Sequence, residues 1–232
     1  IQLVANSTQN IFLTGNPQIT FFKSLYKRYS HFSINQFEQN INGTPFFNNT
    51  INSIISKSGD LLKSIYLQII LPDLNKPTGS SWVGYTNNIG CSLIKQITLK
   101  MNDQIIDTIY GEWIDIYNNI INNNIDLLVL QYNSDYSLRC ADTIPIEKRT
   151  IYLPLPFFFS RTSGCALPLI ALNNSDISID IEFRSLNEVV KTDNINNINY
   201  ITVKDNSNFI CNVWGEYIFL DDNERIMFSN KT

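Results

Sequence analysis

The 232-residue chain has a single histidine, His31. One imidazole cannot build an H-E-x-x-H zinc protease or a multi-histidine zinc site. It also leaves His31 as the sole imidazole base for any Ser or Cys nucleophile. Its setting, "KRYSHFS", is aromatic and basic with no evident partner, so the expectation is a partly buried histidine packed by Phe32. No Walker A motif, G-x-G-x-x-G loop or G-x-S-x-G elbow occurs. No two cysteines are spaced C-x-x-C. Cys91, Cys140, Cys165 and Cys211 are scattered, as expected of free, buried thiols rather than a disulfide scaffold. A basic excess is also missing: 17 Lys and Arg stand against 21 Asp and Glu, net charge -4, which argues against nucleic acid as a direct partner. No apolar run reaches the ~18 residues of a membrane span. The chain shows neither an initiator Met nor a signal-peptide pattern, so its numbering is expected to start inside a longer polypeptide or after processing. There is no repeat at solenoid or propeller periods.

What is abundant points to β-structure. Hydrophobic residues make up 44% and charged residues 16%, enough apolar material for a sizeable core in one large or two small domains. Ile, Phe and Tyr favour strands, and the many Asn favour turns. Those Asn create five N-x-S/T sequons, at Asn6, Asn42, Asn48, Asn173 and Asn230, which arise readily by chance in such a composition.

Period-two alternation dominates. In "KSIYLQIIL", Ile65, Leu67, Ile69 and Leu71 share one face, with Ser64, Tyr66, Gln68 and Ile70 opposite. "KSGD" before it reads as a tight turn, with Gly59 free to adopt positive φ, joining this strand to one in "TINSIIS". "ITLKMNDQIIDTI" reads as a hairpin turning at Asn102-Asp103. Further strands are expected over 150–158, 177–183, 200–204 and 209–220. Pro154 and Pro156 place the first of these at an edge or bulge. Two segments have helical spacing. "GEWIDIYNNII" brings Trp113, Ile114, Tyr117, Ile120 and Ile121 into register, a short helix over one end of the sheets that stops at Asn122 to Asn124. Near the start, Asn16 can cap and Pro17 suits a first helical position. Ile19, Phe22, Tyr26 and Tyr29 then recur at helical spacing beside Lys23, Lys27 and Arg28. Many short strands with one or two helices indicate a sandwich or jelly roll.

Three stretches have chemical content. In "DISIDIEF", Ile177, Ile179, Ile181 and Phe183 face one way; Asp176, Asp180 and Glu182 share the other face with Ser178. Same-face carboxylates lie ~7 Å apart on a strand, a spacing usable in glycoside hydrolysis, although a solvated outer face has the same pattern. "DDNERIMF", Asp221 to Phe228, could attract a cation but lacks the ligand spacing and Gly of an EF-hand. Its plain reading is a polar exit from the last strand, with Arg225 pairing locally. The opening helix could lie on an anionic membrane. Its bases are few for that purpose, and docking on its own protein or a neighbour is the favoured reading.

Five stretches, in order, carry a resemblance: "LTGNPQITFFKSLYKRYSHFS", "INGT", "ISKSGDLL", "YLPLPFFFSRTSGCALPLIAL" and "VWGEYIFLDDNERIMF". Together they resemble the major capsid proteins of large icosahedral double-stranded DNA viruses, the phycodnaviruses, iridoviruses and mimivirus relatives. The resemblance implies an all-β fold: an eight-stranded antiparallel jelly-roll sandwich with one or two short helices, forming the first half of a double jelly roll. It implies an N-terminal arm over 1–35, the jelly roll over 36–222, and over 223–232 the start of a linker towards a second jelly roll. The expected role is structural, with no enzyme activity and no cofactor or metal. Three chains would form a pseudo-hexagonal capsomer tiling the shell, meeting neighbouring capsomers and minor capsid proteins near an internal viral membrane, assembled in the host cytoplasm. The residues expected to act in assembly are Thr14, Gly15, Asn16, Pro17, Gln18, Ile19, Phe21 and Phe22, in an arm at the capsomer base. The loops "NKPTGSSWVGYTNNIG" and "VVKTDNINNIN" match no motif. The rival from another class is a jelly-roll carbohydrate-binding protein or glycoside hydrolase, resting on the acidic stripe and on loop aromatics Trp82 and Tyr85, both expected to be exposed.

Overall fold

Alternating side chains drive the sheet. The computed structural model describes residues 31–121, 139–140, 150–172, 175–205 and 209–229. Its eight principal strands are β1 (Phe32–Asn42), β2 (Thr50–Ile54), β3 (Leu61–Ile70), β4 (Ile94–Met101), β5 (Gln104–Tyr110), β6 (Thr150–Pro154), β7 (Ile177–Phe183) and β8 (Ile210–Leu220). All their pairings are antiparallel. The order β6-β3-β8-β1 makes one half, and β2-β7-β4-β5 makes the other. The chain crosses between the halves at every connection except the β4–β5 hairpin, which is the Greek-key winding of a jelly roll. The inner faces share one core, including Ile65, Leu67, Ile69 and Val213 from one half and Ile51, Ile97, Ile179 and Ile181 from the other. Burying each such side chain contributes about 1.5–3 kcal/mol.

The hinge between the halves is β1. Phe32 to Gln39 pair with β8, whereas Asn40 to Asn42 pair with β2, so one strand serves both sheets at a corner. This strand is absent from the strands expected from sequence. Its side chains are mostly exposed, with Gln39 alone buried, so no alternation marks it. The expected arm boundary at residues 35 and 36 falls inside it, and the expected linker start at 223 falls inside a helix.

Along β7, Ile177, Ile179, Ile181 and Phe183 are buried and the intervening residues half-buried. The β4–β5 hairpin turns at Asn102 and Asp103, whose φ values of 49° and 64° are those of a type I′ turn. Among the described residues, strand β6 pairs with β3 alone, and it ends at Pro154, as an edge strand with proline should. Beyond it, Phe158–Ser160 is a 3-10 turn rather than strand. The strand expected over 200–204 shrinks to Thr202–Val203, paired with Leu74–Asn75. "KSGD" does not close a hairpin: β2 and β3 lie in different halves. Gly59 has no positive φ and is needed for a close approach to Tyr217 instead.

Four α-helices are described: α1 (Ile89–Leu93), α2 (Gly111–Ile121), α3 (Leu186–Val189) and α4 (Asp222–Ser229). The expected helix is α2. Only part of its apolar set is inward: Ile114 is buried, but Trp113, Ile116 and Ile120 are exposed. Asn122 to Asn124 lie outside the described residues.

Candidate functional site

One end of the sandwich gathers most of the sequence motifs. Asp60, in "ISKSGDLL", is buried and is bonded on every side. Its N–H donates to the Ile218 carbonyl (3.1 Å), and its carbonyl accepts from Ile170 N–H (3.2 Å). Its Oδ2 accepts from Leu220 N–H at 2.8 Å, and its Oδ1 lies 3.1 Å from Arg225 Nε. Ile170 belongs to "YLPLPFFFSRTSGCALPLIAL"; Ile218, Leu220 and Arg225 belong to "VWGEYIFLDDNERIMF". Arg225 therefore pairs across the fold and not locally, and the polar exit it sits in is α4.

Tyr217 makes a second knot beside the first. Its ring is fully buried, and its hydroxyl lies 2.7 Å from the Ser56 carbonyl oxygen and 3.1 Å from Gln39 Oε1. Burial pushes the phenol pKa up, against the opposing pull of its Ser56 and Gln39 partners, so it stays a neutral hydrogen-bond donor. Gln39 is buried too; its Oε1 also accepts from Ser56 N–H at 2.7 Å. A methyl group on Gly59 would come within 2.8 Å of Tyr217 Cβ, and one on Gly215 within 2.8 Å of its ring. These glycines are there to admit the tyrosine.

The first motif enters at this end as well. Phe32 pairs with Leu220, so the stretch before it starts beside β8's exit. Thr14, Gly15, Asn16, Pro17, Gln18, Ile19, Phe21 and Phe22 lie outside the described residues. "INGT" lies where β1 ends in the other half, with Gly43 at a left-handed φ of 104°.

The rival chemistry dissolves into structural pairing. Asp180 accepts from Asn52 Nδ2 at 2.6 Å and lies 2.5 Å from Lys100 Nζ. Partial burial works to raise its carboxyl, but Asn52 and Lys100 outweigh it and hold the pKa below the usual value. Glu182 lies 2.5 Å from Lys95 Nζ. A general acid needs a raised pKa; here Asp180 and Glu182 are tied to lysines of β4. Asp180→Asn is expected to cost about 0.5–1 kcal/mol at neutral pH. A carboxyl with a lowered folded pKa stabilises above its unfolded value and loses that contribution as pH falls through the folded one. The difference between the two proteins should therefore fade on acidification below about pH 4, as urea midpoints across pH would read.

Other sequence candidates are similarly placed. His31 is exposed, not packed by Phe32, which is itself exposed. Tyr85 is buried, its hydroxyl donating to the Pro72 carbonyl at 2.6 Å, and Trp82 is half-buried, so neither is the exposed loop aromatic expected. Cys91 and Cys211 are free and buried, with thiols pushed up to about 12 by burial. Cys165 departs from expectation in being exposed. A cleft of about 210 Å³ between α1, α2 and α3 includes Cys91, Glu112, Asp115 and Arg184. Its polar groups are engaged with each other: Arg184 pairs with Glu112, and Asn88 Nδ2 donates to Asp115. Among the described residues, no group of three or more His, Cys, Asp or Glu is placed to hold a metal. No helix there is long and apolar enough to cross a membrane.

Comparison with known proteins explains the motif-bearing end. The family described as major capsid protein N-terminus matches residues 20–221. The chain belongs to the major capsid protein family. It is 38% identical to a probable capsid protein 4 of Acanthamoeba polyphaga mimivirus over 81% of this chain and 38% of that one. It is 35% identical to the major capsid protein of Paramecium bursaria Chlorella virus 1, covering 98% of this chain and 49% of the relative. Among solved structures, the PBCV-1 virus capsid superimposes with a TM-score of 0.66 at 30% identity, over 90% of this chain and 48% of that one. The chain thus spans half or less of the length of these relatives. For a major capsid protein, knots at Asp60 and Tyr217 are scaffold features. The motifs named them in sequence; their mutual contact could not be read there, since Leu220 reaches Asp60 across 160 positions.

Proposed function

We propose that this chain is the N-terminal jelly roll of a major capsid protein that trimerises into pseudo-hexagonal capsomers and tiles the icosahedral shell of a large double-stranded DNA virus. The observation that carries this is the family match over residues 20–221 on an eight-stranded jelly roll. The carboxylates that would serve a hydrolase are occupied by lysines, which supports shape rather than reactivity as the working property. Rigid sandwiches with side faces that associate form large, core-like obligate interfaces, commonly above ~2,000 Å². Closed symmetry then multiplies modest contacts over a shell. A second jelly roll downstream would complete the capsomer edge. Minor capsid proteins and neighbouring capsomers are the partners, with an internal membrane near the base. Thr14 to Phe22 form the arm that reaches them, and assembly takes place in the host cytoplasm. Sedimentation of the full-length polypeptide tests this: a trimer is expected, and a stable monomer at every concentration overturns it.

A further inference from the structure

The two outer faces of the sandwich are unlike. That of β2-β7-β4-β5 centres on the Asp180–Lys100 and Glu182–Lys95 pairs, as a solvated face does. On β6-β3-β8-β1 the register sets Trp214 opposite Tyr66, Tyr152 opposite Gln68 and Ile210 opposite Ile70. These residues alternate with Val213, Leu67 and Ile151 of the core, so they point outward. Tyr152 is 44% exposed and Ile210 41%, while Trp214 and Tyr66 are half-buried. Tyr66 and Trp214 lie within 5° of parallel, with ring centroids 6.3 Å apart, and Tyr152 is 6.3 Å from Tyr66 on its other side.

The polar atoms of this face are paired within it. The Tyr66 hydroxyl donates to Gln36 Oε1 and Trp214 Nε1–H donates to Gln68 Oε1, each at 3.0 Å. The Ser64 hydroxyl donates to Glu216 at 2.7 Å, and Lys63 Nζ lies 3.2 Å from the same carboxylate. A partner that covers these groups leaves them bonded, which avoids the usual cost of drying a polar surface. Tyrosine and tryptophan are also the side chains enriched where proteins meet. The size suits a protein and not a small ligand. Ile218, further along β8 on this face, is already buried, so the free part runs from Glu216 to Ile210. Four strands over that length offer roughly 450 Å², or roughly 900 Å² for two such faces, close to the ~1,000 Å² of a specific contact.

We infer that this aromatic face packs against the same face of a second copy of the chain. The inference rests on the capsid reading, which brings many copies together. The other outer face, with charges at its centre, is a poor mate for flat rings, whereas the like face is flat, aromatic and neutralised at Glu216 by Lys63. Glu38, on the border strand β1, stays at the rim. A contact between like faces carries a two-fold axis. A ring of three is built from unlike faces, so this contact joins one capsomer to the next.

Sedimentation of the native full-length polypeptide across concentration tests the contact. Trimers that associate further as concentration rises are expected. Tyr152→Lys with Ile210→Lys should leave the trimer intact and weaken that association at least about tenfold, because each substitution enters a two-fold contact twice. Ile54→Lys, at a 51% exposed position on the other outer face, should change neither step. Unchanged urea midpoints report that the variants stay folded; should the double variant lose stability, Tyr152→Lys alone decides. Replacing Tyr152 with benzoyl-phenylalanine and irradiating should join two chains through β3, β6 or β8 of each. Trimers that never associate further, association indifferent to the double variant, or a crosslink to the other face of the second copy would each overturn the proposal. A crosslink confined to one chain, beyond residue 229, would overturn it too, showing that the polypeptide covers its own face. The capsid reading fails separately: monomers that only dimerise, and lose the dimer in the double variant, overturn the trimeric capsomer and leave the contact standing.

Discussion

Gly111→Ala is expected to destabilise the sandwich by more than about 4 kcal/mol, or to prevent its folding. Gly111 opens α2 directly after β5, and a methyl group there would lie 2.2 Å from the Cys91 carbonyl oxygen and 2.3 Å from that of Ile94. Both obstacles are backbone. The Cys91 carbonyl is itself engaged, accepting from Ile94 N–H where α1 ends. No rotamer change can open the space, so α1 or α2 must move. Each is pinned by fully buried side chains, Ile89 and Leu93 on α1 and Ile114 on α2, and closely packed interiors do not absorb such shifts. Gly164→Ala is the control. Nothing lies within 4 Å of a methyl group there, and its effect should stay within about 0.5 kcal/mol. Urea midpoints of the two variants check both; a stable Gly111→Ala protein would mean that α1 and α2 are not held as described.

Asp60→Ala is the second large effect, expected at about 2–4 kcal/mol. The carboxylate accepts from Leu220 N–H inside the protein, and charged hydrogen bonds of this kind contribute about 1.5–3 kcal/mol. Its partner Arg225 is about half exposed, 51%, so the ion pair adds at most about 1 kcal/mol. Asp60→Asn separates the two contributions. An amide oxygen can still accept from Leu220 N–H, so about 1 kcal/mol should be lost, and that smaller loss should shrink in high salt as screening weakens the ion pair that only the parent protein has. Thermal or urea unfolding at low and high salt reads this. An Asp60→Ala protein as stable as the parent would show that the carboxylate's contacts with Leu220 and Arg225 are incidental to the fold.

How much of this was legible beforehand varies with the range of the interaction. Strand β7 was plain because burial alternates along it without interruption. Strand β3 was legible from Lys63 onward but not at Leu61 and Leu62. Its register with β8 slips between Glu216 and Tyr217, passing over Lys63, so that Leu62 is buried although it is out of step with Ile65, Leu67 and Ile69. The acidic stripe was correctly placed on an outer face, but its lysine partners lie on another strand, and only pairing register put Lys100 beside Asp180. Gly59 was singled out for the wrong reason: a glycine in a turn suggests free φ, whereas this one makes room for a ring from β8.

The sequence alone determined the β class, the hairpin turn at Asn102-Asp103, the edge or bulge of the proline-bearing strand and the family, because these rest on neighbouring residues or on motif order. Only the tertiary structure decided that β1 is a strand serving two sheets, that Arg225 reaches Asp60, and that Gly59 and Gly215 clasp Tyr217. Contacts between distant segments depend on how the sheet closes, and no local period in the chain encodes that closure.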